Sequence, residues 1–493
     1  MKDLQQNLNQ AVNYFQKKDY IQAEKIFKKL LRKFPSEHSL YTYLIPCLIY
    51  QNKYSDALDF AKKFHQYETM LEISSMYMGI INSFLSTDHE KSLEYLDISL
   101  SFNPKNYHTL VNKAAILIKL DNIEEAKDLL DKAILIDDKN ATAHRNYALI
   151  YEKELQFEKV KEFYLNEINR NKNDHESIYA LSQIQLSEGN YDEGWANYEH
   201  RWLRGKLTYR YQNTPKLNDL LDIKGKKILI WHEQGFGDTI QFSRYVRRLI
   251  LLGANITFEV QKPLVNFLKN QFNCDITDDA SKKSFDYQSP LLGLPLLFGN
   301  YDKNFEFIGP YFQCSIKKLT FWKSHLELSE KKLNLGITIS GNKKQTHEYR
   351  RRIDLSYFLK FLEYCKIYLI QKDINDDEKK IVKQNLDLLY LGNDVNWEDF
   401  TDSSAIIQNM DYIISIDTSI IHLAGSLNKD SLLLLSKPAE WRWTQEDKTT
   451  PKWYDSVKIL RQKKIKNWSS IEDDLEKIIK NRFINHFELG KQI

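Results

Sequence analysis

The feature that most restricts the fold of this chain is a spacing. Ala23, Ala57, Ser92, Ala126, Val160 and Gly194 each stand four residues before another packing residue, at Phe27, Ala61, Leu96, Leu130, Tyr164 and Tyr198, and successive positions lie 34, 35, 34, 34 and 34 residues apart. A period of that length marks an array of helical hairpins, each too small to bury its apolar face alone and stable only when stacked on its neighbours. An apolar residue, often aromatic, precedes the better examples by three, as at Tyr20, Tyr54, Ile123, Phe157 and Tyr191, and Pro35 and Pro104 fall twelve after Ala23 and Ser92. The small residue lets two helices approach, the ring fills the gap beside it, and proline stops the second helix. Six repeats cover the first two hundred residues, with the first and last expected to be incomplete.

These marks resemble the tetratricopeptide repeat, which implies a partner-binding or spacer solenoid. The sixth repeat ends in the aromatic and charged run Gly194 to Trp202, directly before the composition changes. We expect this run to cap the solenoid against the next domain, with Trp195, Tyr198 and Trp202 as interface packing.

At 493 residues and 42% hydrophobic, the chain has material for more than one core, and roughly three domains are expected. A net charge of +3, from 70 basic and 67 acidic residues, gives no overall field toward nucleic acid or anionic lipid, so any basic site must be local. The cysteines Cys47, Cys274, Cys314 and Cys365 lack metal-ligand spacing and suit free thiols. The N-terminal residues lack the apolar core of a secretion signal, and runs such as Leu294 to Phe298 are too short to span a bilayer. A cytoplasmic protein without a membrane span is therefore expected.

From Lys226 the pattern changes to short apolar strands alternating with helices. Lys227 to Trp231 and Ile256 to Val260 read as strands around a helix from Asp238 to Leu252 that Gly253 stops, and Pro263 opens another helix. A second series runs through Leu333 to Ser340, Ile367 to Gln371, Leu386 to Leu391, Tyr412 to Asp417 and Ser431 to Ser436. Two Rossmann-like halves of parallel sheet follow, with a linker from about Asn300 to Lys331 and a ligand cleft between them. The expected domains are a solenoid over 1–205, a first half over 206–325, and a second half with a closing helix over 326–493.

In the first half, the strand ends in H-E-Q-G-F-G-D-T, His232 to Thr239, a glycine-broken turn into a helix. Gly235 and Gly237 suggest a dinucleotide fingerprint with Glu259 as its ribose partner, but the third glycine would fall at Ile240, and Asp238 would set a negative charge beside a pyrophosphate. Asp238 instead suits a general base at the cleft mouth, or equally a helix cap. His232 is a second candidate base.

In the second half, the loop from Ser340 to Ile353 carries Lys343, Lys344, Arg350, Arg351 and Arg352 against Glu348, a diphosphate clamp in which at least two of the five cations are expected to be merely solvated. The loop D-T-S-I-I-H-L-A-G, Asp417 to Gly425, places the amides and hydroxyls of Thr418 and Ser419 at a helix start, with His422 on the same face. Asp417 suits the N-cap, a role that does not exclude touching a donor hydroxyl.

Taken together, H-E-Q-G-F-G-D-T-I-Q-F-S-R-Y, S-G-N-K-K-Q-T-H followed by R-R-I, D-T-S-I-I-H-L-A-G and E-W-R-W at Glu440 to Trp443 resemble the heptosyltransferase-type glycosyltransferases of family 9, in particular bacterial proteins that fuse tetratricopeptide repeats to such a domain. The resemblance implies a GT-B fold, with an acceptor-binding first half and a donor-binding second half. It implies inverting, metal-independent transfer without a cofactor, the nucleotide sugar being a co-substrate. Asp238 then matches the base, and Gly235, Gly237 and Thr239 lie beside it. Ser340, Asn342, Asp417, Thr418, Ser419 and His422 line the donor loops. Arg351, with Lys343 as second choice, meets the diphosphate. The extra lysines at 343 and 344, and Arg352 where a serine is usual, depart from the family pattern and leave the donor open. By analogy the repeats recruit a protein acceptor or partner; transfer to a surface glycan and a catalytically silent scaffold are the alternatives.

Overall fold

The structure is a computed structural model that describes residues 2–85, 89–205, 207–299, 310–341, 348–392, 395–396, 399–443, 453–465 and 467–489. It divides into two compact units, Met1–Glu167 and Ile168–Ile493.

Twelve helices open the chain: α1 Lys2–Gln16, α2 Tyr20–Lys33, α3 Ser39–Tyr50, α4 Tyr54–His65, α5 Leu71–Leu85, α6 Glu90–Phe102, α7 Tyr107–Lys119, α8 Ile123–Ile136, α9 Ala141–Lys153, α10 Phe157–Arg170, α11 His175–Glu188 and α12 Tyr191–Tyr198. The small residues of the 34-residue period all lie on the even-numbered helices α2 to α12, each the second of a sequential pair. Ala23, Ala57, Ser92 and Ala126 are fully buried, and a Cβ added to Gly194 would meet Leu186 Cδ2 at 2.8 Å. The period therefore records helix approach distance. Contrary to expectation the first hairpin is complete, with helices of 15 and 14 residues, whereas the last ends in a helix of only eight.

In the second unit, β1 Lys227–Trp231, β2 Asn255–Glu259, β3 Asp275–Thr277 and β4 Tyr287–Pro290 form a parallel sheet in the order β3-β2-β1-β4. Their connections carry α13 Phe236–Leu251 and α14 Val265–Lys269; α15 Leu294–Phe298 follows β4. β3 and β4 escaped the sequence reading because they are three and four residues long and not continuously apolar. α16 Ile316–His325 lies inside the expected linker. It is held by Asp402, which accepts from Lys318 Nζ at 2.7 Å and from the buried Trp322 Nε1 at 2.9 Å, an anchor no local periodicity reveals.

The second half comprises β5 Leu333–Thr338, α17 Glu348–Arg351, β6 Cys365–Leu369, α18 Asp376–Gln384, β7 Leu388–Tyr390, α19 Phe400–Asn409, β8 Tyr412–Ile416, α20 Ser419–Ser426, β9 Ser431–Leu435, β10 Val457–Arg461 and the closing helix α21 Glu472–Ile484. All six strands are parallel, in the order β10-β9-β8-β5-β6-β7. β5 and β8 are neighbours from which the chain winds outward in opposite directions. Such a reversal opens a crevice at the carboxyl ends of the two strands, because their following segments leave on opposite faces. One face of this sheet is covered with Trp468, Leu475 and Ile479 of the C-terminal segment. The other shares a core with α13 and with Trp195 and Tyr198 of the last hairpin. The architecture is an α-solenoid of the tetratricopeptide type followed by a GT-B type pair of Rossmann-like sheets.

Candidate active site

The crevice at the end of β5 and β8 is bordered by Ser340 and Gly341 after β5 and by Asp417 to Ser419 after β8. Thr418, not Asp417, is the N-cap of α20; its Oγ1 accepts from the Ile420 amide at 3.3 Å. Asp417 is thereby left in the crevice wall, and its backbone carbonyl accepts from Arg351 Nη1 at 2.6 Å. This contact joins the basic loop to the α20 loop. Burial raises the Asp417 carboxyl above its ordinary range, while Arg351, the Trp443 indole and Arg442 draw it back.

α13 of the first half lies against α20. Gly237 makes this approach possible, since a Cβ there would be 2.8 Å from His422 Cδ2. His422 is buried, its ring stacked on Trp443 at 5.1 Å and its Nδ1 3.0 Å from the Tyr454 hydroxyl. Burial, then Arg442 and Arg244, press its pKa well below the ordinary value. Its Nε2 lies 3.9 Å from Asp417 Oδ1.

Asp238 occupies the third position of α13. Its Oδ2 accepts from the Gly235 amide at 2.9 Å, so it does cap its helix, and its Oδ1 is ion-paired with Arg442 Nη2. Asp238 keeps 15% and Arg442 9% of its side-chain surface exposed. Arg442 also pairs with Glu440 through Nη1, receives support from the Trp441 ring at 4.2 Å, and is fixed at its backbone carbonyl by Trp453 Nε1 at 2.8 Å. Against the desolvation of burial, Asp238 and Glu440 hold the guanidinium firmly charged. The Glu440 carboxyl is pushed up to about 7, by burial first and then by Asp417 and Asp238, with Arg442 opposing. Its side chain is still 35% exposed, so water moderates that shift.

In the sequence Glu440 and Arg442 show no role beyond their place in the E-W-R-W motif. The available signal was two charges alternating with tryptophans in the loop after β9, at the same sheet edge as Asp417. Among the other expected residues, Thr239 is buried and donates from Oγ1 to Gln261 Oε1 at 2.9 Å, which turns it toward the loop after β2. Ser340 is buried just beyond β5. Asn342, Lys343 and Lys344 lie outside the described residues. Arg352 turns away and pairs with the buried Glu378, a structural use for one of the five cations. His232 is half-buried, and burial with Arg210 lowers its pKa. Glu259, the alternative ribose partner, is consumed by Arg210, Tyr211 and the Ala280 amide.

The run Gly194 to Trp202 packs as interface. Trp195 and Tyr198 lie 5.4 and 6.0 Å from Trp441, and Gln234 Nε2 donates to the Tyr198 hydroxyl at 2.8 Å. Arg201 forks onto Glu233 at 2.7 and 3.1 Å, and Glu233 also accepts from the Leu292 amide at 3.0 Å. The last hairpin thus buttresses both the H-E-Q-G turn and the E-W-R-W loop.

The chain joins a tetratricopeptide-type solenoid to a glycosyltransferase-like fold. A glycosyl transferase family 9 structure from Veillonella parvula is 11% identical and covers 54% of this chain and 99% of its own, with a TM-score of 0.40. A tetratricopeptide repeat protein from Parabacteroides merdae is 18% identical over 42% of this chain and 82% of its own, with a TM-score of 0.32. Among curated proteins, a TPR repeat-containing protein of Methanocaldococcus jannaschii is 28% identical over 207 residues, 40% of this chain. Protein FlbA of Caulobacter vibrioides is 21% identical over 311 residues, 57% of this chain. The chain spans 29% and 51% of the length of these two relatives. No family model matches the chain. Among the described residues no helix is long and apolar enough to cross a membrane.

Proposed function

We propose that the chain is a glycosyltransferase that moves a sugar from a nucleotide-sugar donor to an acceptor hydroxyl with inversion and without a metal. The reading is carried by one observation: Asp238 of the first half is gathered with Arg442 and Asp417 of the second, beside the crevice between β5 and β8. Asp238 takes the proton of the acceptor hydroxyl, which attacks the anomeric carbon from the face opposite the departing diphosphate. Arg351 and the Thr418 and Ser419 amides at the start of α20 meet the leaving charge. Gly235 leaves the acceptor side open to close approach, Gly237 lets α13 lie against His422 of α20, and the repeats bring a protein acceptor or partner.

Nucleotide release from a panel of nucleotide sugars tests the reading. Asp238→Asn should lower turnover by about 100-fold or more, the usual share of a general base, with folding unchanged; undiminished turnover sinks it. A catalytically silent scaffold is the second reading, favoured by the engagement of both Asp238 oxygens, with Gly235 and with Arg442. Such a scaffold should bind none of the nucleotides in calorimetry. Mass spectrometry of glycoproteins and glycolipids after gene deletion separates a protein acceptor from a surface glycan.

A further inference from the structure

Arg442 sets one positive charge among three carboxyl groups. Asp238 comes from the other half, Glu440 from its own loop, and Asp417 lies close enough to feel its charge. Its main chain is anchored by the Trp453 indole, and the Glu440 carboxylate also takes its backbone amide at 2.9 Å. The Trp441 ring supports the guanidinium plane by a face contact that constrains no single hydrogen-bond direction. The main chain at Arg442 is thus fixed independently of the partners its guanidinium takes.

Asp238 already accepts from the Gly235 amide at Oδ2 and from Arg442 at Oδ1, so the arginine competes with an acceptor hydroxyl for Oδ1. A diphosphate offers two adjacent anionic groups matched to the planar fork, a stronger claim than separate carboxylates on different elements. We infer that Arg442 exchanges Asp238 for the diphosphate of the donor, so that Asp238 Oδ1 is released to meet the acceptor hydroxyl only once the donor is seated. This rests on the transferase reading above and adds an ordering to it, donor before acceptor.

Competition gives the inference a distinctive sign: removing the carboxylate that holds Arg442 should improve anion binding. Calorimetry on the full chain with uridine, adenosine, guanosine and cytidine diphosphates, and with inorganic pyrophosphate, measures this directly. Asp238→Asn, which is isosteric, should tighten diphosphate binding threefold or more. Arg442→Ala should weaken it at least tenfold, with Arg442→Lys between the two. If Arg442 only braces the loop, Asp238→Asn will bind no tighter than the parent, and that result overturns the inference while leaving the transferase reading standing. Failure of every protein in the set to bind any diphosphate overturns both. Should Arg442→Ala not fold, the sign of the Asp238→Asn effect still decides.

Discussion

The two glycines at the start of α13, Gly235 at its N-cap and Gly237 in its first turn, should respond differently to replacement by alanine. At Gly237 an ideal Cβ would lie 2.8 Å from Cδ2 and 3.4 Å from Nε2 of His422, so the ring or the helix must give way. His422 has little room to retreat, being stacked on Trp443 and held by the Tyr454 hydroxyl, and Tyr454 itself crowds Gly425, where a Cβ would lie 2.5 Å from its ring. Overpacking of this kind costs about 1–3 kcal/mol, while exchanging glycine for alanine in a helix returns at most about 1 kcal/mol, and less in the first turn. We expect Gly237→Ala to lose about 1–2 kcal/mol on that balance and to separate Asp238 from Arg442. Gly235 has an ordinary backbone, φ −73° and ψ 172°, and its Cβ would meet only Asp238 Oδ2 at 3.4 Å. Gly235→Ala should therefore stay within about 0.5 kcal/mol of the parent. All nine tryptophans lie beyond residue 167, so tryptophan fluorescence during denaturation isolates the unit that carries the site. A Gly237→Ala protein as stable as the parent, or a Gly235→Ala protein that is the weaker of the two, would refute the packing argument.

Arg201 and Glu233 are a buried pair with 0% and 2% side-chain exposure, so Arg201→Ala, which strands the carboxylate, should cost about 3–5 kcal/mol in the same fluorescence assay; a loss below about 1 kcal/mol would contradict it. Arg351→Ala should weaken nucleoside diphosphate binding roughly tenfold, the value of one charge-assisted hydrogen bond, whereas Arg352→Ala should spare binding and lower stability through the stranded Glu378; calorimetry and melting that show the reverse would reassign the two arginines. Glu440 has a folded pKa raised to about 7 from 4.5, so the fold retains its proton where the unfolded chain has lost it, and stability falls as pH rises from about 4.5 through 7 and then levels. The full shift would correspond to about 3 kcal/mol, which the partial exposure of the side chain reduces to about 1 kcal/mol; Glu440→Gln should flatten that slope, and an unchanged slope would dismiss Glu440 as its source.

The residues that were legible in the sequence are those whose constraint is local. The 34-residue spacing was readable because helix approach demands a small side chain at the same place in every hairpin, and β1, β8 and β9 were readable because burial on both faces demands continuous apolar runs. The loops that end β5 and β8 were found for the same reason: a strand, a polar turn and a helix start lie consecutively. What was illegible depends on partners distant in the chain. Arg442 meets Asp238 across 204 residues, and nothing around either residue says which of the chain's many opposite charges it will find. Asp238 shows the consequence most directly, because its local sequence supported a cap and a base equally. The cap contact is with Gly235, three residues away, and so could be anticipated. The contact that occupies its other oxygen is made by an arginine on the other half, so the surroundings of this carboxylate are a property of how the two halves are held together rather than of the turn that carries it.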